Sequence, residues 1–174
     1  HLQMQVQRLL EIAYTDQSHL PLEKELFDAN ELIQKSINDL QPFIEQKNAL
    51  VHTNYSIPVA NIKADKAYLR LCLINLIENA IKYAEKPVIE IDTNIEGNNY
   101  SITVKDNGIG IATEHQKKIF ERFYRITEGE LHSSKGFGLG LNFVKKVIDT
   151  HNGKIDVKSE PGKGSTFTIK IPRN

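Results

Sequence analysis

Two early stretches of the chain carry apolar residues at every third or fourth position, which is the spacing of amphipathic helices. The first covers residues 2–13, and the second runs from about Asn30 to Lys47. Pro42 lies inside the second stretch and predicts a kink or a helix boundary, because proline has no backbone N–H to donate. Residues 22–27, between the two helices, form a short alternating piece.

The pattern from residue 49 to residue 83 predicts a strand, a connection and a long helix. The strand covers Ala49 to Tyr55, and Ile57 to Ala64 form the connection. Asp65 is a suitable N-cap for a helix from Lys66 to about Tyr83, because its carboxylate can accept from the free N–H groups of the first turn.

Two β-hairpins are predicted by alternating apolar and polar residues on either side of glycine-containing turns. The first pairs Val88–Ile95 with Tyr100–Lys105, and the second pairs Lys154–Ser159 with Ser165–Ile171.

The segment between the hairpins is polar, with helical character around residues 114–124, and is followed by a helix from about Gly138 to Asn152 and Gly153. Four or five strands with mostly hairpin connections predict an α+β fold. We expect a two-layer α/β sandwich, in which one mixed sheet has its helices packed on one face.

Composition narrows the classes of function. The 174 residues suit one domain, and 22 Lys+Arg balance 22 Asp+Glu, so we expect no nucleic-acid partner. Cys72 is the single cysteine, which excludes an internal disulfide and indicates a reducing compartment. No run approaches the roughly 18 apolar residues of a membrane span, so we expect no membrane contact. Because the chain begins at His1, we expect a fragment of a longer protein.

The sequence DNGIG at residues 106–110 directly follows a predicted strand. Asp-Asn-Gly is by itself an ordinary turn signal. However, the core-facing alternation of the strand continues to Asp106, where a carboxylate is costly unless a donor reaches it. We expect the protein to leave this carboxylate unpaired for an adenine amino group, while Gly108 and Gly110 let the backbone approach a flat ring.

Asn75, Asn79 and Lys82 form one polar stripe on an otherwise apolar predicted helix. A solvated stripe is the ordinary explanation, but asparagine is a poor helix former, so two on one face call for a reason. An asparagine carbonyl suits Mg²⁺, which takes one or two protein oxygens and completes its shell with phosphate and water. Lys82 can neutralise a phosphate.

The sequence GFGLG at residues 136–140 opens the last predicted helix. At a helix N-terminus, free N–H groups and the helix dipole favour an anion. The spacing does not match a P-loop, and no strand directly precedes it as in a Rossmann fingerprint, so both of those folds are set aside.

The sequence FERFYR at residues 120–125 is the fourth motif. An amphipathic helical turn is the ordinary explanation. The functional hypothesis is a lid segment that carries Arg125, or Arg122, toward a terminal phosphate.

In this order and spacing, the four motifs resemble the N, G1, F and G2 boxes of the histidine-kinase branch of the GHKL ATPase superfamily, and residues 162–165 resemble its last glycine box. The resemblance covers about residues 22–172. It implies the Bergerat ATP-binding fold, with ATP and Mg²⁺ as cofactors. It also implies the ATP-binding catalytic domain of a two-component sensor histidine kinase, which donates the γ-phosphoryl group to a histidine on a dimerisation helix bundle.

Matching positions carry the roles of the family over to this chain. Asp106 would accept from the adenine amino group, Gly108 and Gly110 would flank the ring, and Ser165 stands where many relatives carry Thr beside the base. The phosphates would be surrounded by Asn75, Lys82 and Tyr83, with Asn79 as the Mg²⁺ ligand and Arg125 and Arg122 near the γ-phosphate. The second glycine box would add Lys135, Gly136, Gly138, Leu139 and Gly140. The catalytic set implied is Asn75, Lys82 and Arg125.

Position 75 separates branches of the superfamily. Related hydrolysing enzymes, such as gyrase and the Hsp90 chaperones, carry Glu where Asn75 stands. Asparagine cannot accept a proton at neutral pH, so the resemblance implies phosphoryl transfer by positioning and charge neutralisation, with little hydrolysis. A degenerate nucleotide sensor or interaction module, an ATPase clamp and a serine-kinase anti-sigma factor remain as alternatives.

None of the six histidines has the context of the acceptor histidine of the family, and we predict that each is a surface or loop residue.

Residues 1–18 resemble the end of a dimerisation helix, and residues 19–174 resemble the catalytic domain. The implied partners are the histidine-containing dimerisation domain of the same protein and a downstream response-regulator receiver domain. The full-length protein is expected to be a homodimer with a cytoplasmic catalytic domain and an anchor in the bacterial inner membrane. The fragment alone is predicted to bind MgATP without autophosphorylation.

Overall fold

The computed structural model describes residues 20–126 and 138–173. Within these residues, seven strands, five α-helices and a short 3₁₀ turn alternate along the chain. In chain order they are β1 (Lys24–Asp28), α1 (Ala29–Asp39), α2 (Gln41–Lys47), β2 (Leu50–Tyr55), β3 (Asn61–Asp65), α3 (Lys66–Lys82), β4 (Val88–Glu96), β5 (Asn99–Asp106), α4 (Thr113–Gln116), the 3₁₀ turn Lys118–Phe120, α5 (Gly140–Thr150), β6 (Lys154–Glu160) and β7 (Gly164–Pro172).

The main sheet has five strands in the order β2-β4-β5-β7-β6. β2 runs parallel to β4, and all other neighbours are antiparallel, so the sheet is mixed. Both predicted hairpins are present, as β4–β5 and β6–β7. Ile91, Val104 and Phe167 lie in register across three strands and are all buried, as alternation requires of a core-facing row.

The helices cover one face of this sheet, which confirms the predicted two-layer sandwich. α3 contacts α1 and α5 beside it and β4 and β5 beneath it, and α5 contacts β6 and β7. The apolar side of α3 is almost completely buried, with Leu73, Ile77 and Ile81 at 1% exposure or less. The opposite face of the sheet is polar and carries an ion pair of 2.9 Å between Lys105 and Glu90.

Asp65 caps α3 as predicted, since its Oδ1 accepts from the N–H of Tyr68 at 2.9 Å. The predicted boundary at Pro42 is also present: α1 ends at Asp39, and Pro42 lies in the first turn of α2, where no N–H is needed.

The connection predicted for residues 57–64 is wrong in its second half. Residues 61–65 form β3, which pairs with β1 in a separate antiparallel two-stranded sheet. Phe27 lies opposite Ile62, and both are buried. The pairing joins segments far apart in the sequence, and five residues are too few for a clear alternating pattern.

Two helix predictions also differ from the structure. The helical character around residues 114–124 is limited to α4 and the 3₁₀ turn that follows it. The last helix begins at Gly140, because Gly138 has a φ of 69° and lies outside it. The predicted helix of residues 2–13 lies outside the described residues.

His151 lies in the turn directly after α5, so the prediction of a surface or loop residue holds for its position, but the residue is buried at 3% exposure. Its ring bonds to two backbone groups: the carbonyl of Val147 and the N–H of Asp65. His115 is half-buried on α4, and His52 is exposed on β2.

In the part of the chain that the structure describes, no helix has the length and the apolar character that crossing a membrane requires.

Candidate functional site

Asp106 ends β5 in the same row as the buried Ile102 and Val104, and its side chain is half-buried. Its Oδ1 accepts from the N–H of Gly108 at 2.8 Å and from the N–H of Ser165 at 3.2 Å. Among residues 20–126 and 138–173, no donor reaches its Oδ2. The expectation of a wholly unpaired carboxylate is therefore wrong for one oxygen, which the backbone holds, while the other oxygen is available to a ligand.

Burial raises the pKa of the Asp106 carboxyl, and the two backbone N–H bonds act against this rise. The cost of burying the charge falls when further donors complete its hydrogen bonding. An ionised Asp106 therefore favours a ligand that brings an N–H group to Oδ2.

The glycines after Asp106 serve a purpose that the sequence did not indicate. A Cβ added to Gly108 would lie 2.7 Å from the backbone oxygen of Tyr83, and one added to Gly110 would overlap the backbone oxygen of Glu160. Gly110 also has a φ of 71°, which disfavours other residues. Both glycines thus allow the backbone to pack closely against other backbone, and this brings Asp106 next to the end of α3.

The predicted polar stripe lies on α3, and its residues Asn75, Asn79 and Lys82 are half-buried. The amide nitrogen of Asn75 donates to the Leu71 oxygen at 3.1 Å. Within the described residues, the side chain of Asn79 makes no hydrogen bond. Its side-chain carbonyl oxygen is therefore not taken up by any described protein group.

α5 approaches this stripe through Gly140. A Cβ at position 140 would overlap the side-chain oxygen of Asn75, so a larger residue here would force the Asn75 side chain to move. Leu139, the N-cap residue, is buried and gives no side-chain cap. Leu139 therefore takes up none of the N–H groups of this turn, and a helix start without a side-chain cap suits an anion.

Tyr83 follows Lys82, the last residue of the stripe, and links it to the DNGIG segment. The Lys82 ammonium is 5.1 Å from the centre of the Tyr83 ring, and Tyr83 is 36% exposed. The backbone carbonyl oxygen of Tyr83 accepts from the N–H of Ile109 at 3.0 Å. This bond joins the end of α3 to the segment after β5.

The FERFYR segment is fixed to the start of α5. The N–H of Phe123 donates to the Gly138 oxygen at 3.0 Å, and Asn142 of α5 donates to the Phe120 oxygen at 2.8 Å. Arg122 and Arg125 are both exposed, and the Arg122 guanidinium lies 4.9 Å from the centre of the Phe123 ring. Of the second glycine box, Lys135 and Gly136 lie outside the described residues.

Ser165 is buried and belongs to the inner row of β7 with Phe167, as its parity predicted. Its hydroxyl is 2.9 Å from that of Ser159, which also accepts from the N–H of Ile111 at 2.7 Å. The sequence interpretation did not single out Ser159, and its alternation within β6 gave no sign of this role.

Asn107 was also missed as a structural residue. Its side chain accepts from the N–H of Val88 at 2.8 Å and donates to the Lys86 oxygen at 3.0 Å. These two bonds hold the end of β5 against the start of β4. The only signal in the sequence was a turn-forming Asn-Gly pair.

The described residues hold no group of three or more His, Cys, Asp or Glu side chains that could bind a metal ion. A half-buried carboxylate thus lies at the end of a mixed sheet, beside an asparagine stripe and a helix start without a side-chain cap. The chain belongs to the family of histidine kinase-, DNA gyrase B- and HSP90-like ATPases, whose model matches residues 64–174. The predicted resemblance to the histidine-kinase branch is confirmed.

Among its relatives is the sensor protein RprX of Bacteroides fragilis, to which it is 39% identical over 175 residues; the alignment covers 98% of this chain and 34% of RprX. The chain thus spans about a third of the length of this curated relative. Full-length ShkA, solved in complex with AMPPNP, matches 99% of this chain with a TM-score of 0.83 and 27% identity, and the chain covers 36% of it. The histidine kinase ThkA in complex with the response regulator protein TrrA matches 99% with a TM-score of 0.78 and 26% identity, and the chain covers 47% of ThkA.

Proposed function

We propose that this chain is the ATP-binding catalytic domain of a two-component sensor histidine kinase, which donates the γ-phosphoryl group of ATP to a histidine on a dimerisation helix bundle. The observation that carries this proposal is the half-buried Asp106, whose Oδ1 is fixed by the Gly108 and Ser165 backbone while no donor among the described residues reaches its Oδ2. A purine amino group supplies the missing donor. ShkA, with the same fold, was solved with an ATP analogue, which supports this choice.

The base lies at the Asp106 end of the sheet in this proposal. Asp106 accepts from the adenine amino group, Ser165 contacts the base edge, and Gly108 and Gly110 keep the DNGIG segment close to Asp106 and Tyr83. The Tyr83 side chain, which is 36% exposed, lies beside this segment and is placed to contact a flat ring.

The phosphates lie between α3 and the start of α5. Asn79 is the Mg²⁺ ligand, and its fit rests on a half-buried carbonyl oxygen that no described protein group occupies. A single asparagine suits Mg²⁺ because phosphates and water provide the other ligands. Gly138, Leu139 and Gly140 present the uncapped helix start to the phosphates, and Lys135 and Gly136 complete this box.

Phosphoryl transfer rests on positioning and charge. When bound, MgATP supplies the phosphoryl group and the cation that offsets its negative charge. Lys82 and Arg125, with Arg122 nearby, add positive charge around the terminal phosphate, and Asn75 holds the stripe against Gly140. Because the Asn75 amide donates to the Leu71 oxygen, this position offers no base to activate water. Transfer to a protein histidine is therefore favoured over hydrolysis.

The partners follow from the same proposal. The acceptor lies on a dimerisation domain of the parent protein, to which residues 1–18 connect, and residues 19–174 form the catalytic domain. ThkA, which shares this fold, was solved with a response regulator, and this supports a receiver domain as the next partner. The parent is a homodimer with its catalytic domain in the cytoplasm.

The test is phosphoryl transfer from γ-labelled ATP to the separately purified dimerisation bundle of the parent. We expect label on the bundle that is acid-labile and base-stable, as for phosphohistidine, and none on this chain alone. The Lys82→Ala variant, which removes a phosphate-neutralising charge, is expected to lower the transfer rate at least roughly tenfold. Stable label on the chain itself, or steady phosphate release without transfer, would contradict the proposal.

A further inference from the structure

Ser159 lies on β6, outside every motif that the proposed function uses, yet its hydroxyl joins three parts of the site. It accepts from the N–H of Ile111 at 2.7 Å and donates to the Gly164 oxygen at 2.8 Å. It also lies 2.9 Å from the hydroxyl of Ser165. The segment after Asp106, the β6–β7 turn and the buried hydroxyl beside Asp106 thus meet at one oxygen atom.

The direction of each hydrogen bond follows from counting protons. A serine hydroxyl has one proton and two lone pairs. Since the Ser159 proton goes to the Gly164 carbonyl, which can only accept, the contact with Ser165 needs the proton of Ser165. The Ser159 oxygen then accepts twice, from Ile111 and from Ser165, and its hydrogen bonding is complete.

The same count fixes what Ser165 offers to a ligand. With its proton directed to Ser159, its oxygen presents only lone pairs, and its backbone N–H is already bonded to Asp106 Oδ1. Asp106 Oδ2 is likewise an acceptor. The two atoms beside the base are therefore both acceptors, which suits a 6-amino purine and opposes a 6-oxo purine, whose oxygen at this position also accepts.

We infer that Ser159 is a positioning residue for base selection: it holds the Ser165 hydroxyl as an acceptor, and so favours adenine over 6-oxopurine nucleotides. This inference rests on the proposed function, because it concerns the base of the same nucleotide.

We expect the local fold to survive the loss of the Ser159 hydroxyl, because other hydrogen bonds join the same segments. Gln116 bridges the same two segments by donating to the Ile111 oxygen at 3.0 Å and to the Ser159 backbone oxygen at 2.8 Å. The N–H of Gly162 also donates to the Ile109 oxygen at 2.7 Å. A Ser159→Ala variant therefore keeps the turn in place while it frees the Ser165 proton.

The experiment measures equilibrium binding of AMPPNP and of its inosine counterpart to the full chain. Ser159→Ala is expected to weaken AMPPNP roughly threefold to tenfold, the range of one hydrogen bond. It also lowers the ratio of adenine to inosine affinity several-fold, because the freed Ser165 proton can donate to the 6-oxo group. Ser159→Thr keeps the hydroxyl and restores the wild-type ratio.

Two further variants separate this role from a merely structural one. Thr168→Val removes a hydroxyl from the same strand β7, where it lies 3.3 Å from that of Thr103 on β5, and it should leave the ratio unchanged. Ser165→Ala removes the hydroxyl that Ser159 holds, so it should also lower the ratio. If Ser159→Ala fails to fold, Ser165→Ala serves as the test variant.

The inference is overturned if Ser159→Ala or Ser165→Ala keeps the wild-type ratio of AMPPNP affinity to inosine-nucleotide affinity, even when its melting temperature falls. If the wild-type chain binds neither nucleotide, the proposed function itself fails, and this result differs clearly from an unchanged ratio in a chain that binds.

Discussion

Asp106 shows how a residue that is costly for the fold can still be suited to bind a ligand. Its carboxyl continues a buried apolar row, and burial raises its pKa. The Gly108 and Ser165 backbone satisfies one oxygen, which fixes the direction of the other. The alternation of β5 was enough to predict the direction of Asp106 from the sequence.

The partners of these residues were harder to predict than the residues themselves. Ser159, Asn107 and His151 all bond to backbone groups that are distant in the sequence, and no local pattern reports such a partner. Gly108 and Gly110 were predicted to let the backbone approach a flat ring, but the atoms that they approach belong to the Tyr83 and Glu160 backbone. Motif spacing identifies candidate side chains, but only the tertiary fold shows what holds them.

Asn79 gives a prediction at the residue scale. Because its side-chain carbonyl oxygen has no hydrogen-bond partner among the described residues, we expect Asn79→Ala to fold normally and to lose the Mg²⁺-dependent part of its nucleotide affinity. The loss should be at least roughly tenfold with Mg²⁺, as for other damaged metal sites, and small when EDTA is present. Calorimetry under both conditions measures it.

The control for this prediction is Asn38→Ala, which changes an exposed asparagine on α1 that accepts from Gln34. It should leave both affinities unchanged. Equal losses with and without Mg²⁺ for Asn79→Ala would show that Asn79 does not act through the metal.

At the scale of elements, His151 joins the end of α5 to the start of α3. Its Nδ1–H donates to the Val147 oxygen at 2.8 Å, and its Nε2 accepts from the N–H of Asp65 at 2.9 Å. The ring is therefore neutral, since a protonated Nε2 would place one N–H against another. Burial lowers the His151 pKa; nearby Lys24 lowers it further, while the Val147 bond and Asp65 act against this.

This arrangement predicts a pH-dependent stability. Because the folded-state pKa lies below the ordinary value of 6.5, the unfolded chain binds the extra proton more readily. The contribution of His151 is thus complete above pH 6.5 and is lost as pH falls below this value toward the folded-state pKa. His151→Ala should cost about 1–3 kcal/mol at about pH 8, because it leaves the Asp65 N–H without its acceptor. The difference from the wild type should shrink toward about pH 5.

Urea unfolding across this pH range measures the effect, with His52→Ala as a control, since His52 is exposed on β2. A difference between His151→Ala and the wild type that stays constant with pH would refute the neutral-ring account.

The elements also show which sequence signals were sufficient. The hairpins, the N-cap at Asp65 and the boundary at Pro42 depend on neighbouring residues, and each was predicted correctly. β3 was missed because its partner β1 lies far away in the chain. The helix expected around residues 114–124 is shorter because the segment turns to join the start of α5 through Phe123 and Asn142.

For the whole molecule, the two hairpins and two helices bring the candidate site to one end of the sandwich. β5 supplies Asp106, β7 supplies Ser165, α3 supplies the asparagine stripe and α5 supplies the helix start beside it. Each contribution was visible as a sequence motif, but their meeting point required the order β4-β5-β7-β6, which places the end of β5 beside the start of β7. The fold therefore brings these four contributions together in one candidate nucleotide site.

The most direct test of this account is calorimetric titration of the chain with AMPPNP and Mg²⁺, comparing the wild type with Asp106→Asn. We predict saturable one-to-one binding by the wild type. The variant should bind roughly tenfold to a hundredfold more weakly, because a charge-assisted hydrogen bond is lost and the new amide can place a donor against the purine amino group. Equal affinity for both proteins, or no saturable binding by the wild type at millimolar nucleotide, would contradict the account.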